Sequence, residues 1–223
     1  MIRRLFFPGL LDTGPVGGPV WAIRDGFMNL YVLKAAEGLV CFDAGWRTAM
    51  VARGFEALGL NFQDVVAVFL THLHWDHARS VRLFRNAEVF VGEHEVPAHT
   101  PKWLKPVRGL TGVTEGQILK VAGISVRVVE TPGHTSGSVS YLAGDRLLFS
   151  GDAIRLRHGE VLPFLFCFNH DSQALVRSIQ KLAQLERIEG LLTAHTGCTS
   201  DITNAFQRWR EPAVDATQRE GRR

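Results

Sequence analysis

The chain is short of cysteine, tyrosine and long apolar runs, and each shortage narrows what it can be. Its three cysteines, Cys41, Cys167 and Cys198, cannot all pair, and no two stand at a CxxC spacing. Nothing points to a disulfide framework, so a reducing cytoplasm is the expected compartment. Cys41 lies in an apolar, strand-like run and reads as a small core residue. No stretch reaches the roughly 20 apolar residues that cross a bilayer, so no membrane partner is expected. The N-terminal M-I-R-R-L-F-F-P-G-L-L carries paired arginines. Its apolar run is broken by Pro8 and Gly9, ends at Leu11 and leads to no small-residue cleavage site, so it does not read as an export signal. The net charge is only +3. The basic residues, among them Arg3, Arg4, Arg79, Arg82, Arg85, Arg155 and Arg157, are spread out with no stripe alternating with aromatics. That argues against a nucleic-acid partner and leaves anionic small substrates open.

What is present suffices for one well-buried domain: 223 residues, 46% of them hydrophobic. Apolar runs bounded by glycine-containing turns predict strands at 21–23, 29–34, 39–42, 65–70 and 87–91, and again at 117–121, 124–130, 138–142, 146–150 and 190–194. Helices are expected over 47–58, over a short piece at 80–84, and from the N-cap Asp171 to about Ile188. The segments 92–114 and 153–170 read as irregular. Strands followed by a helix occur twice, giving an α/β (α+β) chain, 1–223, with similar halves at about 1–115 and 116–205. From Thr203 a helix passes into a charged tail (206–223), with disorder expected at Arg219–Arg223.

The densest chemistry is T-H-L-H-W-D-H at 71–77. His72, His74, Asp76 and His77 follow the buried run 65–70. Alternation at a strand end gives His72 and His74 the same facing. The chain must then turn for Asp76 and His77 to serve a second ion. Imidazole plus carboxylate without thiolate is a ligand set for Zn, Fe or Mn. Three later strands also run into a ligand flanked by glycine or proline: His134 in T-P-G-H-T-S-G, Asp152 in S-G-D, and His195 in A-H-T-G. Together these are seven potential ligands.

The chain resembles the metallo-β-lactamase fold superfamily on H-L-H-W-D-H at 72–77, G-H-T-S-G-S at 133–138, G-D at 151–152, A-H at 194–195 and F-D-A-G at 42–45. That resemblance implies a four-layer αββα sandwich with the site at the sheet edges. It implies one divalent ion on His72, His74 and His134, a second on Asp76, His77 and His195, and Asp152 bridging both. Zn²⁺ is the first choice of metal, with Fe or Mn as alternatives. Asp152 in place of a cysteine, together with Asp76-His77, is similar to the glyoxalase II, lactonase and phosphodiesterase branch. The implied activity is attack by a metal-bridging hydroxide on an ester, thioester or lactone carbonyl of a small, anionic substrate, with Asp76 also placed to take a proton. The alternatives are a mononuclear iron persulfide-type dioxygenase and a phosphodiesterase of the same fold. Glyoxalase II enzymes add a helical glutathione-binding domain; about 28 residues follow His195, so a glutathione thioester is not the expected substrate. The only tyrosines, Tyr31 and Tyr141, fall in predicted strands, so the tyrosine used by quorum-signal lactonases is not expected.

Outside the ligand set, Asp43 admits two readings: a hydrogen-bond acceptor for a ligand imidazole, or the cap of the following helix. Arg155, Arg157 and His170 are candidate substrate contacts. His94, His99 and His158 read as solvated loop residues. Phe164, Phe166 and Phe168 alternate as if sharing one face, which an apolar substrate wall and a homodimer contact explain equally.

Overall fold

Alternating apolar residues dictate how the layers stack. In the computed structural model, which describes residues 9–96, 104 and 109–210, the first half forms β1 (Gly14–Gly17), β2 (Val20–Asp25), β3 (Met28–Ala35), β4 (Gly38–Phe42), helix α1 (Thr48–Ala57), β5 (Val65–Phe69), a one-turn α2 (Trp75–Ala78), β6 (Glu88–Gly92) and β7 (Thr111–Val113). The second half forms β8 (Ile118–Val121), β9 (Ile124–Glu130), β10 (Val139–Ala143), β11 (Leu147–Phe149), β12 (Ile154–Arg157), β13 (Glu160–Pro163), α3 (Ser172–Ala183), β14 (Gly190–Thr193), β15 (Gly197–Thr199) and α4 (Ile202–Arg210). Strands β1 to β7 make one sheet in chain order, and β15-β14-β11-β10-β9-β8 make the other, so each sheet comes from one half of the chain. Among the described residues no helix is long and apolar enough to cross a membrane.

Side chains leave a strand on alternate faces, and β3 shows what this does. Leu30 and Val32 enter a core shared with Val51 and Phe55 of α1. Tyr31 and Leu33 point the other way, between the sheets, where they meet Phe42, Phe69, Tyr141 and Phe149. On the far side of the second sheet, Leu142 and Leu148 pack on Leu175, Ile179 and Phe206 of α3 and α4. The order is therefore helix, sheet, sheet, helix, the expected αββα sandwich. Between the sheets, Phe42 and Phe149 stack with ring centroids 3.6 Å apart, a contact worth about 1 kcal/mol beyond its burial. Cys41 is fully buried as a core residue, and all three cysteines are free thiols.

Four local readings differ from the structure, the first being 92–114, where β7 (Thr111–Val113) pairs with β6. Residues 154–163 are not irregular: β12 and β13 pair across a turn in which His158 (φ 53°) and Gly159 (φ 83°) are both left-handed, the backbone of a tight mirror-image hairpin. Helix α3 begins on Asp171, whose Oδ1 accepts from the backbone of Gln173 and Ala174, but it ends at Ala183 rather than Ile188. Arg187, at φ 62°, has already left helical geometry. Helix α4 continues through 206–210 with Phe206 wholly buried, inside the span read as tail. The expected disorder at 219–223 and the loop histidine His99 lie outside the described residues.

Candidate metal centre

The clustered residues all leave carboxyl ends of strands. Asp43 follows β4, the Thr71–His77 segment follows β5, His134 follows β9, Asp152 follows β11 and His195 follows β14. β4 runs parallel to β5 and β11 to β14, so these ends lie together, as at other ligand sites built on parallel strands. Two glycines permit the close approach. Gly151 (φ 52°) lets the Asp152 loop pass Thr71, whose Oγ1 would lie 2.5 Å from an added Cβ. Gly133 (φ 139°) lets the His134 loop rest on the start of α3, where a Cβ would run into the Leu175 backbone.

His74 precedes α2 in extended conformation, and the single helical turn then redirects Asp76 and His77. Ligand atoms of His72, His74 and His134 lie within 4.8 Å of one another, as do those of Asp76, His77 and His195, and those of His72, His77 and Asp152. His74 Nδ1 faces His134 Nε2 at 2.9 Å, and His77 Nε2 faces His195 Nε2 at 3.3 Å. The two oxygens of Asp152 divide between these groups. Oδ2 is 3.4 Å from His134 Nε2, while Oδ1 is 3.2 Å from His195 Nε2 and 3.5 Å from His77 Nε2. Asp76 Oδ2 lies 3.6 Å from His195 Nε2 and 3.7 Å from His77 Nε2.

The outer nitrogens are already engaged, which turns the inner ones toward the centre. His77 Nδ1–H donates to Asp43 Oδ2 (2.9 Å), His195 Nδ1–H to the Phe27 carbonyl (2.8 Å) and His134 Nδ1–H to Asn169 Oδ1 (3.3 Å). His72 Nδ1 meets Thr71 Oγ1 at 3.1 Å, and that hydroxyl donates on to Asp43. With Nδ1 as the outward donor in each of these rings, their Nε2 atoms all aim inward, the orientation ligating imidazoles need. Two of the inner atoms, His72 Nε2 and Asp152 Oδ1, are buried with no hydrogen bond completed among protein groups. Orphaned buried lone pairs are costly. A cation would satisfy both, so the donor set fits a metal.

Electrostatics separates the two groups. Burial, followed by the neighbouring imidazoles, holds His72 well below the usual histidine range and His74 at about 4, and burial also lowers His134. Those three rings are neutral at pH 7 and free to ligate. Burial acts the same way on His77 and His195, but the carboxylates of Asp43, Asp152 and Asp76 outweigh it for His77, and Asp152 outweighs it for His195, so both are raised. Burial opposes the charge of Asp152, yet His195 and His77 pull it well below the ordinary carboxylate value.

Asp43 serves as the imidazole acceptor rather than the helix cap: α1 starts on Arg47 with no side-chain cap. Asp43 Oδ1 instead accepts from the backbone N–H and hydroxyl of Thr71. Buried Asp25, which sequence reasoning passed over, ties the start of α1, accepting from the backbone N–H groups of Trp46 and Arg47 and from the Arg47 side chain. Glu95 was passed over too, although it joins two loops of the cluster. Its carboxylate accepts from Leu73 N–H, between His72 and His74, and from the hydroxyl of Thr135, next to His134. His170 is exposed, with its backbone N–H on the His134 carbonyl. Arg155 donates to the Pro163 carbonyl and Arg157 is exposed; among the described residues neither has an ion pair or hydrogen bond with the cluster. His158 occupies the exposed β12–β13 turn. Tyr31 and Tyr141 are buried, donating to the carbonyls of Thr193 and Leu70.

The three phenylalanines do not share a face. Phe164 is buried over the centre, 5.3 Å from the His134 ring and 5.4 Å from His195, whereas Phe166 and Phe168 lie on a 3₁₀ turn and are exposed. Opposite, Phe27 stacks on His195 at 5.7 Å and meets Trp75, which is 45% exposed at the rim.

Residues 23–187 match the family model described as the metallo-beta-lactamase superfamily. A human hydroxyacylglutathione hydrolase-like protein is 27% identical over 203 residues, covering 86% of this chain and 63% of its own length. A probable polyketide biosynthesis zinc-dependent hydrolase of Bacillus velezensis is 26% identical over 124 residues, covering 54% of this chain and 52% of its own. The chain thus spans less than two thirds of these relatives. Among solved structures, a metallo-beta-lactamase family protein of Thermus thermophilus superposes with a TM-score of 0.65 at 25% identity, covering 85% of this chain and 77% of the other.

Proposed function

Because the chain belongs to the metallo-beta-lactamase superfamily, we propose that it is a dinuclear metal-dependent hydrolase that cleaves an ester, thioester or lactone of a small substrate. His72, His74 and His134 would hold one divalent ion, Asp76, His77 and His195 the other, and Asp152 both, with zinc the first choice. The observation that carries this reading is the division of the Asp152 carboxylate, one oxygen toward His134 and the other toward His77 and His195. The aim of Asp76 at the second group favours two ions over one.

When bound, such ions polarise a carbonyl oxygen and lower the pKa of water to about 7. The chain's own residues do the rest. Asp43, Asn169 and the Phe27 carbonyl fix the tautomer and aim of three imidazoles. Against two divalent charges, the carboxylates of Asp76 and Asp152 leave the centre positive, which supports a substrate carrying an anionic group. Phe164 and Phe27 shield the centre from water, and the rim at Trp75 offers an apolar wall for the acyl part.

Elemental analysis of protein purified without added metal tests the centre. Two zinc or manganese ions per chain are expected, and one iron per chain would replace this reading with the dioxygenase. Turnover of a panel of esters, thioesters and lactones tests the reaction; a two-metal protein inert toward all of them would overturn it.

A further inference from the structure

Just past the 71–77 segment, three arginines fall within seven residues of the chain. Arg79 and Arg82 stand three apart on the 3₁₀ turn Arg79–Leu83, and at three residues per turn such positions lie one above the other. Arg85 follows, and all three line one cavity of about 610 Å³ together with Thr48, Phe62 and Gln63. That volume lies within the range of small-molecule sites. Some other arginines are paired, Arg24 with Asp12, Arg47 with Asp25 and Arg127 with Asp145, while others such as Arg53 and Arg157 have no ion pair among the described residues. Among the described residues Arg79, Arg82 and Arg85 have no carboxylate within 4.0 Å, although Asp64 adjoins Gln63 in sequence. Three like charges around one cavity repel one another, and an anion between them would relieve that repulsion.

The cavity is close to the rim of the metal centre. Thr48, in its wall, contacts Ser80 through paired hydroxyls at 3.3 Å. Two residues earlier, the Trp46 ring meets Trp75 edge-on at 4.9 Å. The segment from Trp75 to Arg85 therefore carries an aromatic rim at one end and the arginines at the other.

We infer that this cavity binds the phosphate groups of a small molecule, held by the guanidinium forks of Arg79, Arg82 and Arg85. Guanidinium is permanently charged and matches phosphate with two parallel N–H donors, and an open cavity of this volume has room for a compact phosphate-bearing molecule. The phosphate belongs either to a separate ligand or to the far end of the substrate itself. The second source rests on the hydrolase reading, whereas the site does not.

Calorimetric titration of the intact, metal-loaded protein with inorganic pyrophosphate tests the site. Affinity should fall about tenfold or more for each guanidinium removed in Arg82→Gln/Arg85→Gln, and should hold in Asp152→Asn. Absence of binding to the unmodified protein, equal affinity in the arginine variant, or loss confined to Asp152→Asn would each overturn the proposal. Both arginines are exposed, and Arg85→Gln alone, beyond the 3₁₀ turn, gives the same reading if the double variant fails to fold. Kinetics then separate the sources. A rise in KM for a coenzyme A thioester at constant kcat, with a phosphate-free thioester unaffected, assigns the site to the substrate's own end. Pyrophosphate binding with both thioesters unaffected assigns it to a separate ligand.

Discussion

In the first half of the chain, four of the clustered side chains come from six consecutive residues; in the second half, three come from loops after three different strands. The anchoring differs as well. Buried carboxylates hold the first segment: Asp43 through Thr71 N–H (2.9 Å), Thr71 Oγ1 (3.0 Å) and His77 Nδ1 (2.9 Å), and Glu95 through Leu73 N–H (3.0 Å). The second set leans more on neutral groups, the Asn169 amide for His134 and the Phe27 carbonyl for His195, with Glu95 reaching it only through the hydroxyl of Thr135 beside His134. Charge-assisted hydrogen bonds are roughly twice as strong as neutral ones. Asp43 even sits at φ 62°, a conformation costing about 1–3 kcal/mol in a residue other than glycine, which its three hydrogen bonds offset. The charge-assisted anchors are concentrated where the clustered side chains are contiguous in the chain.

The largest effect should come where the halves meet. Asp152→Ala removes the group shared between the two clusters, and turnover should drop by about 10³-fold or more while circular dichroism stays native. Activity near normal would mean the halves need no common carboxylate. Next is Asp43→Ala. It strands Thr71 N–H and His77 Nδ1–H in the interior, at about 1–3 kcal/mol each, so urea unfolding should show a loss of about 3 kcal/mol or more. Metal affinity should fall about 100-fold. Glu95→Gln is milder: the amide keeps an acceptor for Thr135 but sets a donor against Leu73 N–H or the reverse. Metal affinity should fall about tenfold, read by competition with a chelator.

Sequence and structure agree most where information is local. The strands at 21–23, 29–34, 39–42 and 124–130 announced themselves by apolar runs between glycine turns, and β2, β3, β4 and β9 cover them. H-L-H-W-D-H could be read as one cluster because its members are neighbours in the chain. The β12–β13 hairpin was missed because His158-Gly159 is not among the usual Asn-Gly or Asp-Gly signals, although Ile154-Arg155-Leu156-Arg157 alternates as a strand should. The alternation of Phe164, Phe166 and Phe168 misled in the opposite sense, since a 3₁₀ turn rather than a strand carries the last two. The anchors Glu95, Asn169 and Phe27 act on partners 22 to 168 residues away, one of them through a backbone carbonyl. No local pattern records such pairings, because they exist only after the sheets have stacked.

Asn169→Ala gives the finest test of the contrast between the two halves. The bond to His134 is long, 3.3 Å, and partly buried, and the same amide donates to the Phe164 carbonyl at 3.1 Å. Its loss frees the His134 ring to rotate and loosens the segment that lays Phe164 over the centre. Neither partner is charged, and water can reach the vacated acceptors, so stability should change by about 1 kcal/mol and metal affinity by less than about tenfold. His134 also keeps a second support, since Gly133 and its neighbours are pinned to α3 through the backbone of His170 and Asp171. If Asn169→Ala instead cost as much metal affinity as Asp43→Ala, the carboxylate anchors would hold no advantage over the amide. Firm anchoring would then extend to both halves alike.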